Sequence, residues 1–82
     1  MPYEKVKQAK VTVGTKRTLK SLEKGLIKEV IIARDADLRV VQKVKTLAEE
    51  KNIPITYVDS MKKLGKACGI DVGAAAVGIE KE

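Results

Sequence analysis

The sequence has no histidine, no tryptophan and no phenylalanine, and it has one cysteine, Cys68. Each absence removes a class of chemistry. Without histidine the chain lacks the commonest general base and the commonest metal ligand. One thiol cannot close an internal disulfide or assemble a zinc cluster, which suits a reducing, cytoplasmic setting. Cys68 falls on the apolar side of an expected helix with no histidine to activate it, so it reads as a structural thiol and not as a nucleophile. Aromatics are reduced to Tyr3 and Tyr57. Modules that bind single-stranded nucleic acid stack bases on such rings, so the shortage points away from that mode. The apolar runs are four to six residues long, far short of the ~20 that a membrane-spanning helix needs. The opening stretch MPYEKVKQAK is charged by its fourth residue, unlike a secretory leader.

What is present suits one small domain. The 82 residues are 44% hydrophobic, almost entirely aliphatic, and 34% charged. That composition supports a single modest core under a charged surface, over residues 1–82 as one unit. Seventeen Lys and Arg against eleven Asp and Glu leave a net charge of +6. In so short a chain this excess points to a polyanionic partner, against the plainer alternative of a solvated lysine-rich surface.

Apolar periodicity alternates between two and three-to-four residues along the chain. Pro2 suits the first turn of a short helix carrying Tyr3 and Val6. VTV (11–13) is a short β-branched strand ended by Gly14. A helix follows from about Thr15 to Lys24, with Leu19, Leu22 and Leu26 as its core face and Gly25 as its stop. VIIA (30–33) is continuously apolar, as in a strand covered on both faces. Asp35 or Asp37 can cap the next helix, whose buried stripe is Leu38, Val41, Val44 and Leu47, and Pro54 blocks its continuation. ITYV (55–58) is the third strand. Asp59 or Ser60 caps a fourth helix with Met61, Leu64 and Cys68 facing inward, ended by Gly69. AAAVGI (74–79) is the last strand. The alternation predicts a single-domain three-layer α/β/α sandwich with a four-stranded mixed sheet.

Few residues offer catalysis. Asp35 and Asp37 form a close carboxylate pair that capping explains at least in part. GKACG (65–69) lacks the earlier glycine and the Ser or Thr after Lys66 that a phosphate loop requires. No cofactor motif or metal set is present, and no enzymatic activity is expected.

The stretch VGTKRTLKSLEKG (13–25) is different. Lys16, Lys20 and Lys24 recur at i, i+4, i+8 with Arg17 beside them, making a basic stripe opposite the leucines. Two cations sit in the first helical turn, where the helix dipole makes a cation unfavourable by a few tenths to ~1 kcal/mol. A phosphate bound there reverses the sign, because free N–H groups, dipole and side chains then face one anion, and Gly14 lets a backbone approach closely. The plainer alternative is that Lys and Arg are good helix formers on a wet face. A second feature is GIDVG (69–73). Ile70 and Val72 either tuck into the core or form an apolar tip against an unstacked base.

With these pieces together, the sequence resembles the L-seven-Ae family of ribosomal and ribonucleoprotein RNA binders. The matching segments are VGTKRTLKSLEKG, VIIARDAD, EEKNIPITYV and LGKACGIDVGAAAVGI, in the family's order and over nearly the full chain, with a length similar to the compact bacterial members. The resemblance implies an α/β/α sandwich that binds kink-turn or kink-turn-like RNA, in rRNA or in an mRNA or riboswitch, and stabilises the bent form. The family reads tandem sheared G·A pairs with a Gly-Thr-Asn-Glu segment and a following Lys. Those positions correspond to Gly14, Thr15, Lys16, Arg17 and Lys20. The family's apolar loop corresponds to Ile70, Asp71 and Val72, with Gly73 adjacent, and Arg34 is a weaker phosphate candidate beside a matching segment. Lys16 and Arg17 depart from the family's Asn and Glu. Glu accepts a hydrogen bond from a guanine edge and Arg cannot, although Arg donates to guanine O6 and N7. RNA binding therefore carries over, while the detailed hydrogen-bond pattern does not. Two other readings stand beside this one. The first is a ribosome-associated protein holding rRNA non-specifically through its basic face. The second is a stand-alone relative of the substrate-recognition domains of RNA methyltransferases. With no surplus apolar stripe, a monomer is expected.

Overall fold

Two strands carry most of the apolar sequence, and the fold is arranged to cover both of their faces. In the computed structural model, which describes residues 2–81, these are β2 (Ile27–Ala33) and β4 (Ala76–Glu80). They form the centre of a four-stranded sheet of order β1-β4-β2-β3, with β1 (Val11–Val13) and β3 (Ile55–Val58) at the edges. β4 runs antiparallel to both β1 and β2. β2 and β3 are parallel, joined through a helical crossover of the kind that parallel pairing requires.

Side chains alternate across β2, so each face of the sheet has its own core. On one face Ile31 and Ala33 meet Val77, Ile79 and Val58 under α1 (Pro2–Gln8) and α4 (Met61–Ala67), which contribute Val6 and Leu64. On the other, Val30 and Ile32 meet Ile27 and Ala76 under α2 (Thr15–Glu23) and α3 (Leu38–Glu50), which contribute Leu22, Val41, Val44 and Ala48. Leu22, Ile31, Val44 and Leu64 are all but inaccessible, and complete burial of such a side chain contributes roughly 1.5–3 kcal/mol. This is the three-layer sandwich that the alternating pattern predicts: a single small domain with four helices and a mixed sheet.

Several expectations are corrected in detail. Leu26 is not part of the α2 core face. The helix ends at Glu23 and Leu26 lies beyond Gly25, so the helical period no longer applies and its side chain is 49% exposed. Leu38 is the first residue of α3 and is 62% exposed, while Leu47 is only half-buried. β2 begins at Ile27, three residues ahead of the apolar run. Glu29 is tolerated there because its carboxylate accepts the Thr56 hydroxyl at 2.8 Å and pairs with Lys5 at 3.4 Å. β4 begins at Ala76, because the Ala74 N–H is already donated to the Met61 carbonyl of α4.

Of the alternative helix caps, Asp37 accepts from the Arg39 N–H at 2.9 Å and Ser60 accepts from the Lys63 N–H at 3.3 Å. Arg39 hydrogen bonds hold the Asp37 carboxyl below the usual carboxylate range, and the Tyr3 hydroxyl does the same for Asp59. Asp35 does not cap its own helix. It accepts from the Met61 N–H at 2.8 Å and ties the β2–α3 turn to the start of α4.

One glycine decides where the loop after α4 can lie. A Cβ on Gly65 would sit 2.0 Å from the Val72 carbonyl oxygen, so residues 70–73 can fold back on α4 only because that position has no side chain. The Ile70 N–H to Gly65 carbonyl bond (3.1 Å) and the Ala74 N–H to Met61 carbonyl bond (3.0 Å) hold the loop there. Because backbone and not a flexible side chain must yield, Gly65→Ala is expected to cost about 1–3 kcal/mol and lower the thermal midpoint by at least ~5 °C. Thermal unfolding followed by circular dichroism checks this, and an unchanged midpoint contradicts the close approach.

Candidate nucleic-acid interface

The start of α2 is built by a glycine and a threonine. Gly14, the residue before the helix, has φ 100° and ψ 154°, a region that essentially only glycine occupies. Its N–H donates to the Ala76 carbonyl of β4 at 3.0 Å, and its own carbonyl accepts from the Thr18 N–H at 3.0 Å. Thr18 is fully buried, and its hydroxyl donates to the Thr12 carbonyl of β1 at 3.2 Å. The helix start is thus bonded to two neighbouring strands. No side chain caps it. The amides of Thr15, Lys16 and Arg17 have no acceptor in the preceding turn, as the geometry of any helix start dictates.

The first turn contains no acidic residue. Lys16, Arg17 and Lys20 are exposed, and none of them takes part in an ion pair among the described residues. An open groove of about 540 Å³ runs along the outer edge of β1, lined by Val11, Thr12, Val13, Arg17, Lys20, Ser21, Ile70 and Glu80. Two cations of the helix and one aliphatic of the loop therefore face the same space. Among the candidates taken from the sequence, Arg17, Lys20 and Ile70 line this groove. Gly14, Thr15 and Lys16 are outside the lining, with Lys16 exposed.

Ile70 and Val72 divide between the two readings of their loop. Ile70 is half-buried and packs on the α1/α4 core, whereas Val72 is 69% exposed, with Asp71 and Gly73 exposed on either side of it. The apolar tip is therefore chiefly Val72, and Ile70 joins it to the core. Arg34 sits elsewhere. Bonds from Gly14 to Ala76 and from Ala33 to Ala75 place the α2 start, the β2–α3 turn and the loop before β4 along one end of the sheet. Arg34 is on that rim, but its guanidinium lies over the Tyr57 ring, 5.7 Å from the centroid.

Sequence patterns did not single out Thr12, Thr18, Ser21 or Glu80. A buried threonine in mid-helix is the one visible signal, since its hydroxyl must find a partner. Glu80, which accepts from the Thr12 hydroxyl at 3.2 Å, gives the groove a carboxylate acceptor that Arg17 itself does not offer. Asp35 and Asp37 each accept a backbone N–H, and among the described residues no group of three or more Cys, Asp or Glu side chains is placed to hold a metal ion. No helix among the described residues is long and apolar enough to cross a membrane.

Comparison with known proteins places the chain in a family. Residues 3–82 match the profile of the Ribosomal protein L7Ae/L30e/S12e/Gadd45 family. The chain belongs to that family. Among its relatives, the RNA-binding protein BH0128 of Halalkalibacterium halodurans is 63% identical over 82 residues, covering 99% of this chain and 100% of the relative. The RNA-binding protein YbxF of Geobacillus stearothermophilus is 60% identical over 80 residues, covering 96% of this chain and 98% of the relative. Among solved structures, a 15.5kD RNA binding protein of Giardia lamblia superposes with a TM-score of 0.90 at 31% identity, covering 99% of this chain and 72% of that one. Both of these relatives, and the solved neighbour, carry RNA-binding protein as their name.

Cys68 stands apart from the groove's lining. It is half-buried against the α1/α4 core, and burial pushes its thiol pKa up. At pH 8 it is expected to react with a water-soluble disulfide reagent severalfold more slowly than free cysteine, approaching the free rate only on denaturation. Reaction as fast as free cysteine in the folded protein would contradict the structural role.

Proposed function

We propose that this protein binds structured RNA at the start of α2 and recognises kink-turn or kink-turn-like folds, stabilising the bent form. The observation that carries this reading is the convergence of Arg17, Lys20 and Ile70 on one groove below an uncapped helix start. The relatives' RNA-binding names and the family's profile support the RNA part. The kink-turn part rests on geometry and on resemblance. Free amides and the helix dipole attract a phosphate, and Arg17 and Lys20 reach phosphates or guanine edges. Val72 covers a nucleotide turned out of the stack. Bending follows because the protein has higher affinity for the kinked conformer than for the extended one. The cytoplasm is the setting this reading assigns.

A second reading has its own support. Lys7, Lys62 and Lys66 are exposed on the α1/α4 layer and form no ion pair among the described residues. So wide a spread of charge suits a general rRNA clamp on the ribosome.

The deciding experiment is titration of an RNA duplex containing a standard kink-turn, labelled at both ends, against a control with its G·A pairs replaced. Energy transfer should rise on adding protein to the intact motif only. Equal binding of both RNAs without closure would favour the clamp. The paired substitutions Ile70→Ser and Val72→Ser should abolish the preference for bent RNA, whereas a clamp would scarcely respond.

Ionic strength provides a further check. If about three to five phosphates are neutralised, affinity should fall roughly tenfold or more for a threefold rise in salt. A flat salt response would contradict docking through Lys16, Arg17 and Lys20.

A further inference from the structure

We propose that the groove beneath Arg34 and Tyr57 is a second RNA subsite, which stacks one unpaired nucleobase of an RNA already held at the α2 groove. The inference rests on the RNA-binding reading above and extends it to the other edge of the sheet. The cavity holds about 330 Å³, and its lining includes Ile32, Ala36 and Val41. Tyr57 is 40% exposed on edge strand β3, and its hydroxyl forms no hydrogen bond among the described residues. Tyr3 contrasts with it, being half-buried with its hydroxyl donated to Asp59. Tyr57 is thus the more exposed of the two described aromatic rings, and the one whose hydroxyl is not engaged by another side chain.

Its neighbour is a cation with no carboxylate partner. Arg34 forms no ion pair among the described residues, because the adjacent acids are engaged elsewhere: Asp35 with the Met61 N–H and Asp37 with Arg39. The guanidinium lies 5.7 Å from the Tyr57 centroid, within cation–π range. Leu38, 62% exposed, adds an aliphatic side chain to the same lining. A ring, a planar cation and an aliphatic lining match the parts of a nucleotide, which has a flat π face to stack and a phosphate to neutralise. An aliphatic peptide segment would leave Arg34 unmatched.

The position also fits an RNA already bound. Hydrogen bonding places Arg34 on the same end of the sheet as Gly14. The β1 edge, with its basic groove, is three strand spacings from β3, or ~14 Å. A strand leaving the kinked motif along this rim reaches the second groove without crossing a face of the domain. The shortage of aromatic residues is therefore compatible with one stacking platform, formed where β2 and β3 end together.

The test uses a kinked RNA in blunt form and with a short unpaired extension carrying 2-aminopurine, placed on either arm in turn. The wild-type protein should bind one extended RNA about fivefold or more tightly than the blunt RNA, as one stacked base contributes, and should quench the 2-aminopurine. Tyr57→Leu keeps the apolar volume and should lose both the added affinity and the quenching while binding blunt RNA normally. Tyr57→Phe should retain both. The proposal is overturned if the extension adds nothing on either arm, as expected of a groove that serves a protein partner, or if Tyr57→Leu behaves as wild type. Failure of the blunt RNA to close would instead refute the kink-turn reading. Tyr57-dependent quenching would then be read on a single-stranded oligonucleotide, where its absence overturns the subsite.

Discussion

The hydrogen bond from the Gly14 amide to the Ala76 carbonyl, with the Thr18 hydroxyl on the Thr12 carbonyl, sets the position of everything the rim presents. Both bonds join the start of α2 to strands and not to its own continuation. They fix where the free amides point and where Arg17 and Lys20 emerge. The buried Thr18 hydroxyl has its one described partner here, so a shifted helix would leave a polar group without a bond in the core. Such a group costs roughly 1–3 kcal/mol, a large fraction of the stability of a small domain. The helix start is therefore held in place by the cost of moving it.

On this rigid support the chain places charge where the free protein gains least from it. Lys16 and Arg17 oppose the dipole of their own helix, and no acid in the first turn offsets them. The unfavourable arrangement becomes favourable only with an anion in place. The loop on the other side of the groove is held with similar economy. Its backbone rests on Gly65 and its first aliphatic is anchored in the core, so Val72 can be exposed without the loop losing its position.

Much of this was legible in the residues. The stripe of Val41 and Val44 and the continuous apolar run of β2 are local signals that the structure follows, and it selects Asp37 over Asp35 and Ser60 over Asp59 as the caps. Leu26 and Leu38 were misread because periodicity does not report where a helix ends. One falls beyond the stop at Gly25, and the other opens α3 beside an edge strand. Glu29 hid the first half of β2, because its acceptability in a strand depends on Thr56 of the neighbouring strand. Among site residues, Arg17, Lys20 and Ile70 could each be named from spacing or resemblance. The pairing of Arg34 with Tyr57 could not, since it arises from the parallel register of Ile32 with Tyr57 and Ala33 with Val58.

The kinds of element, the pairs of residues able to cap the helices, the basic excess and the missing chemistry can all be read along the chain. Propensity, capping and periodicity act over a few residues, and composition needs no geometry at all. That Arg17, Lys20, Ile70 and Glu80 share one groove, and that Arg34 lies over the Tyr57 ring at the opposite edge, emerges with the packed fold. Those neighbours are brought together by strand order and register, and register is fixed by burying both faces of β2 and β4 at once, a condition that no single segment of the chain can express.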